Sequence, residues 1–408
     1  MKIARPLILA GAMAGLLASH AHAAGRTFNL AITGPFSGGS APMGISMRDG
    51  VMLAVNQINA KGGIDVGGKM EKIHVIERDD EGQNQRGALV AQELASMPGL
   101  SAVIGTVNTG VAIAGDKFLQ AAHIVKLVTP SSGTAAMSQW DKPSVKSLYM
   151  FRFTAQDGIQ SSMVVEQAAK MGFTKVAIFN DTTNYGVSGR DDLMRKIKAN
   201  GHIKVVDHEE FNIGEKDMTA QVLRARAAGA QAILIWGIGP ELAAVANEMG
   251  KIGYHVPLIG GWTLSMSNFL DNAGKNANGT MTPQSFIQDP VNPIVAKFIK
   301  EYQTAYHVKV MPSPMSAAEG YDAMLVLAAA VHQAGSNDPT RIRNALEDLK
   351  TPVTGVIATW KHPYSKWNWK DPMSHEAFRR DDVVMGMVKN GRIVYANASE
   401  REREAKRR

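Results

Sequence analysis

Cysteine is absent from the 408 residues, so the chain has no disulfides, no thiol nucleophile and no cysteine at a cleavage site to carry a lipid anchor. Long apolar runs are absent too. The longest, Leu7 to Ala18, is shorter than the roughly 20 residues a bilayer-spanning helix needs, so the chain is not expected to span a membrane. Charge of one sign is scarce once it is partitioned. The net charge is +7, of which Lys2 and Arg5 supply two and the tail 401–408, with five basic and two acidic residues, supplies three, leaving about +2 on the body. That is no footprint for nucleic acid, and none is expected as a partner. The tail itself reads as a solvated, fraying helix.

Catalytic signatures are missing as well. There is no Gly-x-Ser-x-Gly elbow, no Gly-x-x-x-x-Gly-Lys phosphate loop, no His-Glu-x-x-His, and no Gly-x-Gly-x-x-Gly after the first strand. His375-Glu376 and the other histidines lack metal-ligand spacing. Asp79-Asp80-Glu81 reads as a solvated strand-end loop rather than a cation site. Neither an enzyme nor a cofactor is expected.

What is present begins with Lys2 and Arg5 ahead of the apolar run, followed by Ala21-His22-Ala23. This is the pattern of a secretory signal peptide over residues 1–23, which places the mature chain in the periplasm. A chain of 408 residues exceeds what one core usually holds, so two domains are expected.

Apolar, β-branched runs alternate with amphipathic helical stretches throughout, as in parallel sheets covered by helices. The first series of strands is placed at Phe28–Ile32, Lys72–Ile76, Ala102–Ile104 and His123–Val125. The second is placed at Val176–Phe179, Ile203–Val206, Ala232–Ile235 and Val256–Ile259. Val51, Met52, Val55 and Ile58 form one stripe of a helix over 49–60, which Lys61-Gly62-Gly63 stops. Two series imply two Rossmann-like lobes, with crossings expected at Phe153-Thr154-Ala155, Gly279 to Thr282, and Thr354-Gly355. The first lobe is then 24–153 plus 281–355, the second 154–280 plus 356–400, and 401–408 the charged tail.

Ligands of open α/β sheets sit beyond the carboxyl ends of the strands, where helix N-termini aim free N–H groups. The turns there are Gly34–Gly39, Gly105–Gly110 and Thr129–Thr134 in the first lobe, and Asp181–Gly186, Trp236–Glu241 and Gly260–Thr263 in the second. They are rich in hydroxyl and backbone donors, which suits a carboxylate. Helix capping accounts for any one such hydroxyl equally well.

The turns Gly34-Pro35-Phe36-Ser37-Gly38, Arg78-Asp79-Asp80, Ile104-Gly105, Thr129-Pro130 and Asn184-Tyr185-Gly186, with the helix end Asn56 to Ile64, occur in one order. In this the chain, from Phe28 to Tyr395, resembles the leucine/isoleucine/valine-binding proteins, type I periplasmic binding proteins of ABC importers. The resemblance implies two α/β lobes joined by a three-stranded hinge, a permease as partner, and no catalysis. It implies that Thr109 with the turn Ser131, Ser132 and Gly133 holds a ligand carboxylate, with Thr134 able to stand in for Gly133. Tyr185 would pack over the ligand. Phe36, Ser37 and Asn108 belong to the same candidate set.

Three positions depart from the family. The glutamate that receives a ligand ammonium falls on Trp262, and two tyrosines fall on Met43 and on Ile238 or Gly239. An indole cannot neutralise a buried ammonium. The expected guest is therefore a carboxylate without an α-ammonium, an aromatic or hydrophobic acid walled by Trp262, Tyr185, Phe36 and Met43. Branched-chain amino acids and small amides or ureas are the alternatives, and a monomeric periplasmic sensor is the rival to a transport subunit. The segment His362 to Lys370, rich in tryptophan and lysine, is expected to brace the hinge.

Overall fold

A computed structural model describes residues 27–407; the expected signal peptide lies outside them. The first sheet contains β1 (Thr27–Gly34), β2 (Ile64–Val66), β3 (Lys69–Asp79), β4 (Leu100–Ile104), β5 (Val125–Val128) and β6 (Met150–Arg152), in the order β2-β3-β1-β4-β5-β6. The second contains β7 (Lys175–Asp181), β8 (Lys204–Phe211), β9 (Ala232–Trp236), β10 (Leu258–Gly260) and β11 (Met281–Gln284). A two-stranded ribbon follows, β12 (Val353–Thr354) and β13 (Thr359–Trp360). Then β14 (Val384–Lys389) and β15 (Arg392–Tyr395) complete the second sheet as β15-β14-β11-β10-β9-β7-β8.

Central strands such as β4, β5 and β9 are buried along their whole length, because helices cover both faces of each sheet and leave no solvated side. Within β5, Lys126 is buried and places its Nζ 2.5 Å from Asp116 Oδ1. The helix Ala41–Ala60 packs along Pro314–Ala334. Gly50 permits that approach, since a Cβ there would lie 1.9 Å from the Ala317 carbonyl oxygen. This helix starts earlier than the stripe over 49–60 suggests, because Pro42 in its first turn presets helical φ.

Two expected boundaries are corrected. Met281–Gln284, placed in the first lobe by sequence, pairs in parallel with β10 and antiparallel with β14 inside the second sheet. Residues 356–378, placed in the second lobe, stay with the first. Glu376 bridges to Arg152 at the edge of β6, Arg152 N–H donates to His375 O, and Ala377 N–H donates to Arg152 O. The tail is helical over Ala398–Lys406 and is tied down by Arg401 to Asp289 at 2.7 Å and by an Arg407–Asp382 pair.

Two acids on the helix Pro314–Ala334 brace the hinge from the first lobe. Glu319 accepts from Thr154 Oγ1 (2.7 Å) on the first connection between the lobes and from Ser285 Oγ (2.6 Å) on the second. Asp322, one turn on, accepts from the N–H groups of Val356 (2.6 Å) and Ile357 (3.0 Å) in the turn of the β12–β13 ribbon and from Trp360 Nε1 (2.9 Å) in β13, on the first-lobe stretch that precedes the third connection. Aromatic rings fill the space beside them. Phe153 lies 4.6 Å from Trp360 and 5.4 Å from Phe378, and Phe151 stacks on His375 at 3.9 Å. The histidine is a satisfied core residue, with Nδ1 at Met150 O and Nε2 at Glu347. Within the segment 362–370, Tyr364 Oη donates to Arg152 O and lies edge-on to Phe151, and Trp367 Nε1 donates to Val145 O, so the segment packs on the first lobe around β6.

Candidate functional site

Strand order reverses around β1 in the first sheet, which lies between β3 and β4, and around β7 in the second, between β8 and β9, all paired in parallel. Such switch points open a crevice at the carboxyl ends of the strands. The two crevices face each other across one cavity of about 490 Å³, inside the range of small-molecule sites. Gly82 to Gln85 and Asn108 to Gly110 line it from the first lobe, and Thr182 to Tyr185, Val187 and Ile238 from the second. None of these carries a charge.

The lobes touch around the cavity. Asn84 Nδ2 donates to Asn184 Oδ1 at 3.1 Å, and Thr134 Oγ1 donates to Asp192 Oδ2 at 2.7 Å. Asn268 Nδ2 donates to Gly39 O at 2.8 Å. Gly239, of positive φ, lies against Gly39.

Capping does not account for the first-lobe hydroxyls. Thr109 opens the helix Thr109–Ala121, Asn108 makes no side-chain cap, and Gly133 precedes Thr134–Ser138 without one. Thr109 Oγ1, Ser131 Oγ, Ser132 Oγ and Asn108 Oδ1 are all buried without a hydrogen-bond partner. Asn108 Nδ2 donates to Ser40 Oγ. Gly133 lies so close that a Cβ there would fall 2.2 Å from Thr109 Oγ1. Its φ of −52° suits any residue, so what glycine supplies is space.

Other expected residues are engaged elsewhere. Phe36 N–H and Ser37 Oγ both donate to Asp79, and Arg48 lies over the Phe36 ring. Thr134 spends its hydroxyl on Asp192, and Met43 is buried in the core. Trp262, 1% exposed, donates its N–H to Gln160 Oε1 and belongs to the apolar core that runs between the lobes. It does not line the cavity. Ile238 does, and its N–H donates to Asp181 Oδ2.

Tyr185 brings its ring to the cavity and an unpartnered Oη to a polar group behind it. That group holds Asp157, which sequence reading passed over. Asp157 opens the helix Asp157–Lys170, is fully buried, and donates its N–H to Ser132 O at 2.8 Å. Burial pushes its carboxyl up to about 7 against the pull of Ser132 Oγ and Trp236 Nε1, with Asp192 raising it further. Those neighbours close no well-aligned hydrogen bond with Oδ2. The site is therefore less free of acid than an indole at 262 suggests.

Several carboxyls share this direction of shift. Burial raises Glu319 to about 8, Glu376 to about 7 and Asp181 to about 6. A buried acid whose folded pKa exceeds the unfolded value binds its proton more tightly when folded, so it stabilises the protein at low pH and less as pH rises. Thermal melts should therefore show the midpoint falling between pH 5 and pH 8.5; a midpoint rising across that window would contradict these environments.

The sequence of residues 27–369 matches a family model described as periplasmic binding protein. This chain belongs to the periplasmic binding protein family. Among its relatives, a Leu/Ile/Val-binding protein homolog 3 of Brucella melitensis is 28% identical over 365 residues, covering 89% of this chain and 94% of that one. A type 1 periplasmic binding protein from Bordetella pertussis superposes with a TM-score of 0.77 at 27% identity, covering 91% and 99% of the two chains. An ABC transporter solute-binding protein from R. palustris, solved in complex with benzoate, shares the fold with a TM-score of 0.72 at 18% identity, covering 91% and 96%. Periplasmic binding proteins of this kind capture solutes and are not enzymes. Among the described residues of this one, no helix is long and apolar enough to cross a membrane.

Proposed function

We propose that this periplasmic binding protein, exported by residues 1–23 as a cleaved signal segment, works in the periplasm as a monomer. It closes its lobes over a small carboxylate, an aromatic or hydrophobic acid without an α-ammonium, and presents it to an ABC permease. The observation that carries this reading is the buried, unpartnered hydroxyl of Thr109 on the wall of an uncharged cavity, with those of Ser131 and Ser132 unpartnered in the turn that packs against it and does not itself line the cavity. A buried polar group left without a partner costs about 1–3 kcal/mol, so such a set calls for an acceptor guest. A carboxylate only accepts, at about four lone-pair sites, and helix-start amides add donors without a cation. Tyr185, Ile238 and Val187 offer the other end an apolar wall. The benzoate held by the R. palustris protein is consistent with such a guest on this frame.

A branched-chain amino acid is the second reading, favoured by Asp157, whose ionised form suits an ammonium, and by the Brucella relative's name. Calorimetric titration with benzoate, a cinnamate and leucine separates the two. The acids should bind saturably, and Thr109→Val should weaken them by about 1–3 kcal/mol, roughly 5- to 150-fold, without changing stability. Tight leucine binding with no response to the acids defeats this choice. Unchanged acid affinity in Thr109→Val removes Thr109 from the site.

A further inference from the structure

We propose that Asp157 sets the charge the cleft accepts: in its neutral form it frees the hydroxyls of Ser132 and Tyr185 to donate to an anionic guest, so a carboxylate enters together with one proton. This deepens, and rests on, the carboxylate reading. Asp157 is fully buried where the first connection meets the second lobe, and its Oδ2 has no geometric partner. Around it stand Ser132 Oγ and Trp236 Nε1, with Tyr185 close enough to feel its charge. Ser132 Oγ, Tyr185 Oη and Trp236 Nε1 likewise lack closed hydrogen bonds.

Each hydroxyl has one hydrogen to give. If Asp157 is ionised, Ser132 turns its hydrogen toward it and Tyr185, whose hydroxyl neighbours are Ser132 and Thr263, turns its own toward Ser132, so a guest carboxylate meets both missing donors and a like charge. If Asp157 carries a proton, that repulsion is gone and both hydroxyls are released to donate to a guest, Tyr185 from the cavity wall and Ser132 from the turn that packs on Thr109. Two like charges sharing a buried site cannot both ionise cheaply. A carboxyl near 7 can make this exchange at small cost.

The other charges facing this group are few. Arg152 is committed to the carbonyls of Ser132 and Gly133 and to Glu376. Asp192 is held by Thr134 and Arg195. Asp181, near enough to act on Tyr185, accepts from Thr183 and Ile238 and lies beside Glu241. None supplies a free cation for a guest carboxylate. Asp157 acts through Ser132 and Tyr185 and is a positioning residue, so its signature is a pH profile.

The test is titration of the mature chain with benzoate from pH 5.5 to 9, where benzoate stays ionised. Wild-type affinity should fall by about tenfold per unit above pH 7, the slope for one linked proton, and calorimetry in buffers of different ionisation heat should register uptake of one proton at pH 8. Asp157→Asn, with an amide that donates whatever the pH, should flatten the profile and bind at least about tenfold tighter than wild type at pH 8.5; Asp157→Glu should restore the slope. Ser132→Ala should weaken binding and keep the slope. Parallel profiles in wild type and Asp157→Asn, or no proton uptake by the wild type, overturn the proposal while leaving the carboxylate reading intact. Binding of leucine and of neither acid at any pH overturns both.

Discussion

Replacing Asp322 by alanine should cost about 3–5 kcal/mol of stability, among the largest single-residue losses this fold can show. The carboxylate accepts from two backbone N–H groups and an indole N–H of the β12–β13 ribbon, and Gly355 approaches so closely that no side chain could take its place. Alanine removes the acceptor shared by all three N–H groups and leaves a cavity beside Gly355 in its place. Asp322→Asn keeps one acceptor oxygen but turns an NH₂ toward another donor, so it should fall between wild type and alanine. Urea unfolding of the three proteins measures this. Equal midpoints would mean the β12–β13 ribbon does not depend on the acid.

Gly133→Val should abolish binding while leaving most of the fold in place. Its Cβ would stand 2.2 Å from Thr109 Oγ1 and 2.4 Å from Thr109 Cγ2, so either the threonine or the turn must move. The ligand would lose both anchors of its carboxylate. With hydrogen bonds to a charged group contributing about 1.5–3 kcal/mol each, affinity should drop by about 100-fold or more. Overpacking itself should cost about 1–3 kcal/mol of stability. Titration with benzoate alongside a thermal melt separates the effects; retained affinity would show that the 131–133 turn does not meet the ligand.

The turns were legible because strand-end loops of α/β sheets carry a recognisable mix of glycine and hydroxyl residues, and Thr109, Ser131 and Ser132 sit where that logic puts them. Which hydroxyls stay free was not legible. Ser37 and Thr134 look like Thr109 in sequence, but their partners, Asp79 and Asp192, lie far along the chain and meet them only through the fold. Asp157 escaped notice because an acid in a first helical turn is ordinarily explained by the helix dipole, and nothing local says that this one is buried.

The late strands of the second sheet were missed for different reasons. Pro283 sits inside β11, although proline normally argues against an interior strand. The hairpin of β14 and β15 did leave a signal. Asn390 and Gly391 both have positive φ, and an Asn-Gly pair between β-branched runs marks such a turn. The boundary errors at 281 and 356 follow from this, since a lobe assignment is only as good as its strand list.

A crystal structure of the protein grown with benzoate or a cinnamate tests the central claim most directly. The carboxylate oxygens should lie within hydrogen-bond reach of Thr109 Oγ1 and the Ser131–Gly133 turn, with the ring under Tyr185 and no cation beside it. An acid seated outside the interlobe cavity, or one whose carboxylate faces the second lobe and leaves those hydroxyls unpartnered, would contradict it.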